Sequence, residues 1–162
     1  MNGDNFALID DCKNDFNKIE EFIKKDPLNS LCPYLISYSI IRACGCIEVC
    51  VKNVLFDYLS KGAKAETVKY LENQILESSW NPSFGSIQKL LDVINPNWSS
   101  SFQSSLHGAK EKGDLTSLIN LRNDFAHGQK VTATIGNIIE YFEGSCKVVE
   151  NLNSIINTET AA

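Results

Sequence analysis

Leu115-Thr116-Ser117-Leu118-Ile119-Asn120-Leu121-Arg122-Asn123-Asp124-Phe125-Ala126-His127-Gly128 has the apolar spacing of a helix and stops on a glycine. At about 100° per residue, Leu115, Leu118, Leu121 and Phe125 fall on one stripe, which predicts a helix packed on a core. Asp114, just ahead, is a good N-cap. Arg122 falls within roughly 50° of the stripe's centre on the same construction. Asn123 and His127, four residues apart, share another face. A cation beside a packing stripe is costly unless it is paired or reaches a cleft. The plain structural reading pairs Arg122 with Asp124 or Glu140 and lets His127 cap the last carbonyls of the helix. The functional reading makes Arg122, Asn123 and His127 a site at a helix end.

Outward from this segment the chain reads as helices. Phe6, Ile9, Phe16, Ile19, Phe22 and Ile23 recur at helical spacing and predict a helix from Asp4 to Lys25. A break at 26–30 precedes a second helix from Pro33, a good first-turn residue, to Leu59, with Gly62 as its C-terminal cap. That helix spans roughly 40 Å, and its Gly45 marks a place for a close helix contact. Val68, Leu71 and Ile75 predict a third helix over 65–77. A loop at 79–83, a short helix over 86–94, and a further short helix followed by a polar loop within 98–113 complete the middle. Thr132 or Thr134 caps a last long helix through Ile156, and residues 157–162 are expected to fray. No alternating pattern suggests a strand. The expectation is one all-α domain over 1–162, an antiparallel helical bundle with extra short helices in its middle.

The 162 residues are 43% hydrophobic and 22% charged, ordinary values for one globular domain. A net charge of −5 argues against a surface coated for nucleic acid, although a local basic cleft is compatible with it. Arg42 and Arg122 are the two arginines among fifteen basic residues. Lys110, Lys112 and Lys130 lie near Arg122 in sequence and would supply local positive charge. The acidic start is not a signal peptide, and no stretch approaches the roughly 18 apolar residues of a membrane span. A cytoplasmic protein without membrane attachment follows, its six cysteines reduced.

Other clusters are weaker. Cys32, Cys44, Cys46 and Cys50 invite a zinc reading, but they lack paired Cys-x-x-Cys knuckles and His107 is distant. Buried packing thiols and no metal or cofactor are expected. Tyr34, Tyr38, Phe56, Tyr58 and Phe125 have base-stacking chemistry, yet their helical spacing reads as core.

Arg122-Asn123, then Ala126-His127-Gly128 at a helix end, resembles the signature of HEPN domains. The long helix through Tyr38–Arg42, Ile47, Glu48 and Tyr58, and the closing helix over 132–156, resemble the helices that flank that signature. The likeness is nearest the RiboL-PSP-HEPN kind, while residues 62–113 add nothing to it. The resemblance implies a metal-independent endoribonuclease, a toxin or defence effector that works as a homodimer. RNA would be cut through its own 2′-hydroxyl, with an antitoxin or regulatory protein as a further partner. It implies His127 as general acid and base, Arg122 as the cation on the phosphate and Asn123 as polar support that orients His127 or holds the phosphate by hydrogen bonding. Glu48 and Arg42 of the long helix become supporting residues. One alternative is a non-catalytic HEPN module that binds a nucleotide, RNA or protein; another is a plain helical interaction domain.

Overall fold

The computed structural model describes residues 3–158, which form seven α-helices, one π-helical turn and no strand. They are α1 (Gly3–Lys25), α2 (Cys32–Leu59), α3 (Ala65–Leu71) running into a π turn (Glu72–Leu76), α4 (Phe84–Ile94), α5 (Pro96–Ser105), α6 (Lys110–Ala126) and α7 (Ile135–Thr158). The architecture is an all-α antiparallel bundle. Its directions follow from long-range pairs: Asn5 bonds Asn53, and Cys12 bonds the Arg42 carbonyl, so α1 runs against α2. Glu111 at the start of α6 pairs with Lys147 in the second half of α7, so these two also run antiparallel.

The centre is α2, which packs on α1, α6, α7 and the π turn. Ile40, Ala43, Ile47, Val51 and Leu55 are fully buried along it. Its hydropathy is higher than the sequence reading allowed: a window with mean hydropathy 1.5 is long and apolar enough to cross a membrane. Of that window, 44% is buried between neighbouring helices. Burying one such aliphatic side chain contributes about 1.5–3 kcal/mol. Phe16 of α1 meets Phe142 of α7 edge to face, with ring centroids 5.3 Å apart, closing the core on that side.

Several boundaries differ from expectation. Helix α6 starts five residues early, at Lys110, so Asp114 is inside the helix and does not cap it. Its carboxylate accepts from Lys110 Nζ at 2.8 Å and lies buried against Gly144 of α7. Gly144 is therefore the glycine of a close helix contact; Gly45 is exposed, and a β-carbon there would meet no other part of the described structure within 4 Å. The helix expected over 65–77 changes to π geometry from Glu72, with Glu77 N–H donating to Glu72 O. Thr134 is the cap of α7, its hydroxyl accepting from Asn137 N–H. That helix runs through Thr158, with the Asn157 and Thr158 side chains bonded back to Asn153 and Ser154. Residues 159–162 of the expected tail lie outside the described residues.

Candidate functional site

The C-terminus of α6 is closed by a left-handed glycine. Gly128 has φ +73°, Gln129 N–H donates to Asp124 O at 2.8 Å, and Gly128 N–H donates to Phe125 O at 3.0 Å. These paired bonds form a Schellman motif, which satisfies carbonyls that the helix itself cannot. His127 occupies the cap residue and its backbone is held from both sides. Its ring is exposed, and among the described residues no group hydrogen-bonds it. The ring does not cap the helix; the backbone beyond it does.

Arg122 is exposed and has no carboxylate within ion-pair distance among the described residues. Neither Asp124 nor Glu140 partners it; Glu140 instead takes Lys110. The apolar stripe explains why no burial cost arises. Leu115 and Leu118 are buried, Leu121 is half-buried and Phe125 is 40% exposed, so the stripe has left the core by the time Arg122 adjoins it. Arg122 Nη1 donates to Asn123 Oδ1 at 3.3 Å. The same oxygen accepts from Asn81 Nδ2 at 3.1 Å. Asn81 belongs to the loop between the π turn and α4, part of the middle segment that the motif reading had set aside. An asparagine in a loop, 42 residues away, carries no periodic signal by which sequence reading finds it.

Of the two supporting residues, Glu48 lies one turn along α2 from Cys44, which touches the motif helix. Cys44, one turn before Glu48 on α2, donates its thiol to Leu118 O of α6. Burial pushes that thiol up to about 12, while Arg122 pulls it down and Glu48 raises it. Glu48 also pairs with Lys52 at 2.6 Å. Lys52, only 7% exposed, donates to the carbonyls of Leu76 and Ser78 and so ties the π turn and the following loop to α2. Arg42 faces the other way. It pairs with Asp15 of α1 at 3.5 Å, and its carbonyl accepts from Cys12.

The lysines divide similarly. Lys110 is held by Asp114 and Glu140, and Lys112 sits 4.0 Å over the Phe84 ring. Both are at the far end of α6, more than about 15 Å from Asn123 at the rise of a helix. Lys130 follows the motif directly and borders a groove with Pro33, Ile36 and Phe125. Adjoining it is a second groove of about 590 Å³, lined by Tyr34, Tyr38, Ile41 and Phe125. These four are 73%, 49%, 44% and 40% exposed, so three of the aromatics read as core are surface residues. Phe56 and Tyr58 do pack against the core.

All six cysteines are free and buried. Among the described residues no three His, Cys, Asp or Glu side chains converge as metal ligands. Cys44 bonds Leu118 O, Cys46 bonds Leu8 O and Cys32 bonds Asp26 O.

A sequence model of the RiboL-PSP-HEPN family matches residues 4–158. That match takes in the middle segment as well as the motif and its flanking helices. No curated protein and no solved structure matches the chain.

Proposed function

This chain belongs to the RiboL-PSP-HEPN family, and from that premise we propose that it is a metal-independent endoribonuclease whose site is Arg122, Asn123 and His127. The observation that carries the reading is the exposed guanidinium of Arg122, without a carboxylate partner among the described residues, and an exposed imidazole five residues on, at an end of the same helix fixed by the Gly128 turn. An arginine without a carboxylate partner is available to an anion, and its planar fork suits a phosphate. The ring of His127 is free to move protons, and a histidine does so near neutral pH.

In the proposed reaction the 2′-hydroxyl of a ribose attacks the adjacent phosphorus and its proton passes to a base. The bond from phosphorus to the 5′-oxygen breaks, and that oxygen takes a proton from an acid. The products are a 2′,3′-cyclic phosphate and a 5′-hydroxyl. Arg122 stabilises charge on the phosphoryl oxygens, and Asn123 gives polar support by orienting His127 or holding the phosphate. A chain offers one motif histidine, so base and acid come from two copies in a homodimer. The exposed Tyr34, Tyr38, Ile41 and Phe125 beside the motif supply the apolar face for that contact. The proposed setting is the cytoplasm, as a toxin or defence effector held by a partner protein.

The test is incubation of purified protein with RNA, with and without EDTA, followed by analysis of the ends. Cleavage that survives chelation and leaves cyclic phosphate supports the reading. No cleavage by a folded dimer would leave the non-catalytic module, which binds a nucleotide, RNA or protein through the same face.

A further inference from the structure

We propose that Asn81 is a positioning residue for the motif, turning the Asn123 amide so that its NH2 end, beside the Arg122 guanidinium, meets the phosphate. The inference rests on the proposed ribonuclease reading and adds to it a residue from outside the motif helix. The orientation of both amides follows from chemistry. A guanidinium has donors only. The Asn123 atom that Arg122 Nη1 touches must therefore be the oxygen, and the Asn81 atom touching that same oxygen must be the NH2 group. With its oxygen occupied by two donors, Asn123 has its Nδ2 hydrogens left to give. Amide and guanidinium then form a surface of donors only, which suits an anionic oxygen and rejects a cation or a backbone N–H. This selects between two roles open to Asn123 and assigns it to phosphate rather than to orienting His127.

Asn81 is held for this task. Its loop is tied to α2 by Lys52, which donates to the Leu76 and Ser78 carbonyls and is itself paired with Glu48. The Asn81 oxygen is sealed from solvent and accepts from no group among the described residues. An unmet buried acceptor is costly, and leucine of similar size would serve packing better. Its NH2 group bonds Asn123, and that contact offsets the cost.

The experiment compares wild type, Asn81→Leu, Asn123→Ala and the double variant, each checked for folding by circular dichroism. Cleavage of a short RNA gives kcat/KM. Asn81→Leu is expected to lower it roughly tenfold, the size of one net hydrogen bond. In the Asn123→Ala background the same change is expected to do nothing further, because its target is gone. A purely structural role for Asn81 would lower activity equally in both backgrounds, and that result overturns the proposal. So does full activity in Asn81→Leu. If Asn81→Leu melts early, Asn81→Asp replaces it, with equal size and no NH2 donor. If wild type cuts no RNA, the ribonuclease reading fails and the inference is decided by titrating 15N-labelled protein with inorganic phosphate. Shifts of the Arg122 Nε and Asn123 Nδ2 signals that disappear in Asn81→Leu support it. Shifts unchanged in Asn81→Leu, or absent in wild type, overturn it.

Discussion

At the residue scale, the site divides into groups held rigidly and groups left free. His127 stands on a backbone fixed by the Gly128 turn, with its ring in solvent. His127→Ala removes no buried contact, so melting temperature and oligomeric state are expected to stay unchanged. Loss of a general acid and base should lower RNA cleavage by about 10²–10⁴-fold, measured as kcat/KM at neutral pH. Arg122→Ala is expected to abolish most cleavage too. From the sequence alone this change carried a risk to stability, since a residue beside an apolar stripe should have a buried partner. The exposed, unpaired guanidinium removes that risk, and denaturant unfolding should show a change within about 0.5 kcal/mol. A drop of several kcal/mol would mean that Arg122 supports the fold. Arg122, Asn123 and His127 could be put forward from sequence because they fall within six residues at one helix end, where spacing fixes faces. Asn81 and Lys52 could not: one is in a loop and the other is a lone lysine on an apolar helix. Their partners, Asn123 and the carbonyls of Leu76 and Ser78, become neighbours only through tertiary folding.

At the scale of elements, legibility follows length. The long helices α1, α2 and α7 carry many turns of one period, and their bounds lie close to those the sequence implied. Asp114 misled because a good N-cap residue also serves as a buried acceptor. The structure uses it where α6 meets α7, next to Gly144. A β-carbon at position 144 would overlap the Asp114 carboxylate, and both helices are fixed by core contacts on their other faces. Gly144→Ala is therefore expected to destabilise by about 1–3 kcal/mol, read from the denaturant midpoint. An unchanged midpoint would show that the two helices can separate cheaply. The thiols add a dependence on pH. Burial pushes Cys44 of α2 and Cys146 of α7 from 9.0 up to about 12. Above pH 9 the unfolded chain releases these protons while the folded chain keeps them. The unfolded state then binds fewer protons, so stability must fall as pH rises from 9 toward 12. Lysines and tyrosines titrate in the same window, so the comparison is with a Cys44→Ala, Cys146→Ala variant. Its stability should decline less steeply with pH, whatever its starting value. Parallel curves would show that neither thiol is held neutral by the fold.

At the scale of the whole molecule, a net charge of −5 and an RNA substrate are compatible only if one face differs from the rest. On the proposed reading, that face is the motif end of α6, to which Arg122 and Lys130 contribute charge. Lys110 and Lys112, which sequence proximity had assigned to it, are engaged at the opposite end of the helix. What adjoins Phe125 is Lys130 and an apolar patch, and a patch is better suited to a second copy of the chain than to RNA. Ile41→Asp at the patch centre should convert a dimer to a monomer in sedimentation experiments and remove cleavage, with helicity unchanged. The stronger test of a shared site uses subunit mixing. Wild-type and His127→Ala chains, unfolded together in equal amounts and refolded, should pair at random. Roughly a quarter of the dimers then carry two motif histidines. If base and acid come from different copies, cleavage per total protein falls to about that quarter of the wild-type value. If each chain works alone, half remains, because half the chains are intact. Activity near one half, from samples shown to have exchanged subunits, would make the dimer irrelevant to the chemistry. Both proton transfers would then have to be assigned within one chain.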